Sequence, residues 1–239
     1  MELSEAPALR GLAKRLDRLR LVDRERDLIE RLDRLAVAAG LLRFAATSAP
    51  TEDAARRLVA GLERAAPELA HGLRVIADDR PRILGSRSLV GRALARFPSP
   101  LPLAFSWRRG ERAPPRRIER VKIGPLLGYP RCCVRHEEAR RAAIVRAEAE
   151  GMLETWRPRS VAEVIAAIAA RRPYLAEDVG DDEARIERLR RFPFVSFVPC
   201  PRCCERAQDS PAARDDARRR ELSRSISPRL EREIERVRG

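Results

Sequence analysis

The sequence predicts an all-α protein: an N-terminal helical part followed by a helical cysteine-cluster domain. Three observations predict it. Apolar residues recur over long stretches at spacings of three and four, the period of a helix face. Aromatic residues make up only 4% of the 239 residues. The core must therefore be built mainly from Leu, Ala, Val and Ile, a mix that favours helix packing over sheets. Finally, Ser or Thr stands before acidic residues or prolines at several places where a helix would begin.

Residues 8–45 carry Leu12, Leu16, Leu19, Leu28, Leu32 and Leu35 at helical spacing, with Arg and Asp between them. They predict one long amphipathic helix, with Asp17 near Arg20 and Asp23 near Arg26 on neighbouring turns. Thr51 followed by Glu52 and Asp53 reads as an N-cap, and helices are expected over 52–65 and 67–79. A short helix is expected near 86–96. Prolines and glycines then punctuate residues 98–130 and predict a loop. This sets three regions: 1–97 as an N-terminal helical region, 98–122 as a basic Pro/Arg-rich linker, and 123–239 as the cysteine-cluster helical domain.

In the last region a helical pattern runs from Pro130 to about Trp156. Ser160 with Glu163 forms a capping box for a helix over 161–172, and residues 181–191 predict another. Phe192, Phe194, Val195, Phe197 and Val198 lie between Pro193 and Pro199 and predict an extended, buried segment. Ser210 before Pro211 and Ser227 before Pro228 each start a further helix, the last ending near 237.

Net charge is +14, and Lys14 and Lys122 are the only lysines. Such charge suggests nucleic acid or an acidic protein surface as partner, although an arginine-rich composition would also produce it. The densest positive stretch holds Trp107, Arg108, Arg109, Arg112, Arg116, Arg117, Arg120 and Lys122 against Glu111 and Glu119. Its arginines suit phosphate, and Trp107 suits base stacking. No phosphate loop, helix-turn-helix or RNA-binding aromatic motif accompanies it. There is no signal-peptide pattern and no apolar run of the roughly 18 residues that span a bilayer. A cytoplasmic protein without a membrane segment is expected, in which thiols stay reduced and serve as ligands or reactive groups. No Ser-His-Asp arrangement is visible, and no reaction or substrate is implied.

All five cysteines fall in two short segments: Cys132 and Cys133, then Cys200, Cys203 and Cys204. Pro130-Arg131-Cys132-Cys133 recurs as Pro201-Arg202-Cys203-Cys204. Proline suits the first turn of a helix, where free N–H groups and the helix dipole stabilise a thiolate. Two such starts facing each other offer four thiolates to one ion. Cys132 and His136 are one turn apart, as are Cys200 and Cys204, while Cys200 and Cys203 form a competing C-x2-C chelate.

Leu126-Leu127-Gly128-Tyr129-Pro130-Arg131-Cys132-Cys133, with Pro199-Cys200 and Cys204 downstream, resembles a family of prokaryotic proteins catalogued as a domain of unknown function. The shared pattern is Leu-Gly-Tyr-Pro-x-Cys-Cys, then an apolar segment ending in Pro-Cys with a further Cys nearby. The resemblance covers roughly residues 123–210. It implies that Cys132, Cys133, Cys200 and Cys204 are the family positions, that Cys203 is an addition, and that the two segments form one site. It implies no activity.

The function expected is therefore metal binding by Cys132, Cys133, Cys200 and Cys204, with Cys203 or His136 as alternates. Zinc and an iron–sulfur cluster weigh equally. Zinc suits four tetrahedral ligands, but adjacent cysteines on a helix diverge by about 100°, which a larger cluster tolerates better. Two other classes stand beside this one. One is an arginine-rich nucleic-acid-binding protein with a structural zinc. The other is a thiol–disulfide redox protein using Cys200-Pro201-Arg202-Cys203.

Overall fold

A computed structural model of the chain describes residues 6–19, 24–97, 100–155, 158–170 and 183–238. The helical positions expected at 20–23, 156, 171–172 and 181–182 lie outside the described residues. No helix among the described residues is long and apolar enough to cross a membrane.

The expectation of an all-α fold is overturned by a four-stranded mixed sheet in the order β1-β3-β2-β4. Its strands are β1 (Phe44–Ser48), β2 (Leu69–Ala77), β3 (Leu101–Arg108) and β4 (Arg117–Glu119). β3 pairs antiparallel with both β1 and β2, and β2 pairs parallel with β4. The helix expected over 67–79 is β2. The segment expected as a basic linker contains β3, which lies inside the sheet, and β4.

Side-chain alternation makes the sheet two-faced. Leu103, Phe105 and Trp107 of β3 lie beside Phe44, Ile76 and Ile118 in one buried cluster. Ala104 points the other way and joins Ala45 and Leu69 in the main core. That core is helical on its far side. It takes Leu9, Leu12 and Leu16 from α1 (Ala6–Leu16), and Leu28, Ile29, Leu32 and Leu35 from α2 (Arg24–Ala38). Leu62 comes from α3 (Glu52–Ala65), whose N-cap Thr51 accepts a hydrogen bond from Ala54 N–H.

The one long helix expected over 8–45 is instead two helices, since α1 stops at Leu16 and α2 starts at Arg24; α2 ends at Ala38, and β1 begins six residues later. Gly40 is the reason. It has φ 75°, a conformation glycine adopts freely. Gly40 N–H bonds to Val37 O at 3.1 Å and Leu41 N–H to Ala36 O at 2.8 Å. This pair of bonds is a Schellman stop, which reverses the chain.

Two short helices, α4 (Arg80–Leu84) and α5 (Leu89–Arg96), connect β2 to β3. Beyond β4 a short α6 (Ile123–Leu126) leads into α7 (Arg131–Thr155). α8 (Val161–Ala170) packs Val164 and Ile168 against Val90, Ala93 and Leu94 of α5. α9 (Glu183–Arg191) precedes the buried segment 192–199, and a short α10 (Pro201–Glu205) follows it. The chain closes with α11 (Pro211–Ile226) and α12 (Pro228–Arg238). Ser210 and Ser227 cap these two: Ala213 N–H bonds to Ser210 Oγ at 3.1 Å and Leu230 N–H to Ser227 Oγ at 3.3 Å.

The two ends of the chain share the main core, since Leu222, Ile226, Leu230 and Ile234 pack with α1 and α2. A buried charge network crosses the same junction. Arg219, 1% exposed, pairs with Asp33 of α2 and with Asp215 Oδ2 at 3.0 Å. Arg34, fully buried, donates to Glu30 O at 2.8 Å and to Thr47 Oγ1 of β1 at 2.6 Å. Removing one partner from such a network leaves an uncompensated charge in the interior.

Candidate metal centre

Two segments of unlike origin build the site. The first begins where α6 stops. Gly128 has φ 78°, with Gly128 N–H bonded to Pro125 O at 3.2 Å and Tyr129 N–H to Gly124 O at 3.0 Å. This is a second Schellman turn, and Pro130 follows because it cannot continue α6. The Pro130 carbonyl instead accepts from Val134 N–H at 3.0 Å, which opens α7. Leu-Gly-Tyr-Pro is thus a helix stop and a helix start in four residues. It delivers Cys132 and Cys133 into the first turn of α7.

The second segment, 192–199, is held by burial and by three polar ties. Asp216 Oδ1 accepts from Phe194 N–H at 2.8 Å, Arg220 lies 4.7 Å over the Phe194 ring, and Arg238 donates to Val195 O at 2.9 Å. Tyr129 and Phe197 meet at 5.0 Å between ring centroids, joining the two segments. Cys200 then takes the N-cap position of α10, with Pro201 behind it in the first turn. Cys203 N–H bonds back to Cys200 O at 2.9 Å.

These turns bring four sulfurs together. Among the described residues, Cys132, Cys133, Cys200 and Cys203 have Sγ atoms all within 4.8 Å of one another. Cys132–Cys203 and Cys133–Cys203 are each 3.6 Å apart, and Cys132–Cys133 is 4.0 Å. Adjacent cysteines therefore reach a common point. In the first turn their side chains lean back toward the helix start, and the 100° divergence does not part them. Cys204 and His136 are not in this group. The four close thiols include Cys203 where the family resemblance implied Cys204. The reason is local: in the α10 turn Cys203 is buried beside Cys133, and Cys204 lies half-buried to one side.

The setting favours sulfur anions in some respects and opposes them in others. Backbone N–H groups point at three of the sulfurs. Cys200 N–H donates to Cys133 Sγ at 3.4 Å, Cys203 N–H to Cys200 Sγ and Ala212 N–H to Cys203 Sγ. Burial pushes the Cys133 thiol well up, and the neighbouring Cys203 and Cys200 add to this. Burial likewise pushes Cys203 up to about 11, and it raises Cys204. At Cys200 burial acts in the same direction but is outweighed by hydrogen bonds from Cys203 N–H and the nearby thiols, so its pKa is lowered. Four thiolates at these separations, three of them buried, would repel one another. A bound dication offsets both the repulsion and the desolvation.

The basic stretch is dispersed by the fold. Trp107 is 7% exposed within the sheet core, with the Arg74 guanidinium 5.1 Å over its ring, so it is not placed to stack on a base. Arg108 donates to Val37 O at 3.2 Å, Arg109 bonds to Pro67 O, and Lys122 pairs with Glu119 at 3.1 Å. Arg120 is half-buried, and burial lowers its pKa. Arg112, Arg116 and Arg117 remain exposed.

One feature near the centre had no sequence signal. A cavity of about 200 Å³ opens between α2 and the β1 edge, lined by Glu30, Asp33, Ser48, Leu103, Tyr129 and Ser196 among others. Its residues come from seven separate stretches of chain, a proximity that only tertiary packing produces. Compared with family models, curated proteins and solved structures, the chain matches none.

Proposed function

We propose that the chain is a metalloprotein in which Cys132, Cys133, Cys200 and Cys203 hold one tetrahedral metal ion, and that this ion is a structural zinc. The spacing of the sulfurs carries the reading. Four thiolates at about 2.3 Å from one zinc stand about 3.8 Å from each other by tetrahedral geometry. Three of the sulfur pairs, at 3.6, 3.6 and 4.0 Å, bracket that value. An iron–sulfur cluster of several irons divides its thiolates among different metal atoms, and so asks for a wider spread than 4.8 Å permits for the whole set. Four protein ligands fill a tetrahedral zinc, leaving no position for a reactive water. The resemblance of both cysteine segments to one family pattern is in keeping with their serving a single ion.

Such an ion would clamp the start of α7 to the α10 turn and hold the 192–199 segment between them. Metal analysis of protein purified under reducing conditions without added metal tests this. About one zinc per chain is expected, lost in Cys203→Ser and retained in Cys204→Ser. Iron with acid-labile sulfide would replace zinc by a cluster. A metal-free protein with a rapidly titrating Cys200–Cys203 dithiol would favour the thiol–disulfide reading.

A further inference from the structure

The two cysteine segments repeat beyond their cysteines. Arg131-Cys132-Cys133-Val134-Arg135 and Arg202-Cys203-Cys204-Glu205-Arg206 each place arginines one turn apart, flanking the thiols. All four arginines are exposed. The Cys132–Cys203 approach of 3.6 Å brings the two arms together, so the arginine pairs border one centre. Two more join them from α9, since Arg191 and Arg188 act electrostatically on Cys204.

Some arginines elsewhere are answered by acids. On the C-terminal helices, Arg224 pairs with Glu231 and Arg229 with Glu233, each at 2.9 Å, and Arg220 pairs with Glu235 at 2.8 Å. Among the described residues, none of Arg131, Arg135, Arg202 and Arg206 has an ion pair with a carboxylate. Glu205 is the one acid within the two arms.

We propose that this arginine collar is a nucleic-acid contact surface, with Arg131, Arg135, Arg202 and Arg206 engaging successive backbone phosphates. The proposal rests on the four-thiolate centre, which sets the arms against each other. Guanidinium forks suit phosphate oxygens bidentately, and a net charge of +14 gives long-range attraction to a polyanion. An anionic membrane is disfavoured because an interfacial site also needs apolar side chains to insert. Among the described residues the exposed large apolar residues are Leu41 and Val237, neither on these arms.

Fluorescence anisotropy with a labelled single-stranded RNA and a labelled DNA duplex tests the proposal, using the full zinc-loaded chain. Zinc content is measured on every sample, so that failure of the centre is read separately. Four phosphate contacts predict a slope of log affinity on log salt of about −3. The Arg131→Ala, Arg202→Ala double variant should keep its zinc and lose about two units of that slope. The Arg116→Ala, Arg117→Ala variant should bind as the wild type does. Three results would overturn the collar: no salt-dependent binding by zinc-loaded protein, binding lost in the Arg116/Arg117 variant alone, or collar-dependent binding to phosphatidylserine vesicles without binding to nucleic acid.

Discussion

The sheet region and the cysteine region are held in opposite ways. Between Phe44 and Glu119, four strands share a dry cluster of Phe44, Ile76, Leu103, Phe105, Trp107 and Ile118, backed on the other face by the main helical core. Around the cysteines, the apolar cluster contains Phe192, Val195, Phe197 and Ala212, and its remaining buried members are Cys133, Cys200 and Cys203. The chain there runs without regular structure from 194 to 200. The first region has enough apolar area to order itself. The second buries Phe192, Phe194, Val195 and Phe197 on a loop without regular hydrogen bonding, where the metal ion proposed above would add a cross-link to that packing.

Removing the metal should therefore separate the two. Hydrogen exchange with and without a strong chelator is expected to show lost protection at 129–136 and 192–204, while amides of β2 and β3 stay protected. Because a structural zinc can contribute on the order of 10 kcal/mol in small domains, this is the largest effect expected. Equal loss in both regions would make the chain one cooperative unit around the ion. No loss at all would remove the structural role.

The converse perturbation is smaller. Phe105 is fully buried in β3, edge-on to Phe44 at 6.4 Å between ring centroids. Phe105→Ala should cost about 3–5 kcal/mol in denaturant unfolding, while zinc content stays at one per chain. Zinc lost together with stability would couple the sheet to the centre more tightly than their separate clusters imply.

The same contrast governs what could be read from sequence. In the cysteine region local signals sufficed for most elements. Ser210-Pro211 and Ser227-Pro228 start helices where expected, and Pro130 precedes α7. Which thiols converge was less legible, because Cys203 and Cys204 are neighbours and only the α10 turn separates their directions. The strands hid for different reasons. Leu69, Leu73 and Ile76 of β2 fall at spacings of four and three, which imitate a helix face. β1 is the small-residue run Ala45, Ala46, Thr47 and Ser48 after one Phe. β3 did carry a readable signal, with Leu101, Leu103, Phe105 and Trp107 alternating with Pro102, Ala104 and Ser106. The surrounding prolines masked that period of two, although Pro102 sits near the strand start, where proline is tolerated.

The smallest expected effect belongs to His71 in β2, which ties the sheet to the end of α3. Its Nε2 lies 3.0 Å from the Ala66 carbonyl and its Nδ1 3.0 Å from Ser106 Oγ. A carbonyl only accepts, so Nε2 carries the proton and Nδ1 accepts from the Ser106 hydroxyl. Burial is the main reason the His71 pKa is lowered. Arg34 and Arg109 push the same way, and the Ala66 carbonyl and Glu63 oppose them. The folded state therefore resists a proton that the unfolded chain takes up near pH 6.5. Where the unfolded state binds more protons, stability rises with pH. This contribution should be complete above about pH 7 and should fade as pH drops through 6.5 toward the lowered folded value. Urea unfolding at several pH values, for wild type and His71→Gln, isolates it. Release of the proposed zinc on acidification would affect both proteins alike and cancel in their difference. A wild-type curve that falls more steeply than the variant's below pH 6.5 is the expected result. Parallel curves would mean that His71 takes up a proton as readily in the folded state as in the unfolded one, and that the α3–β2 junction is insensitive to pH.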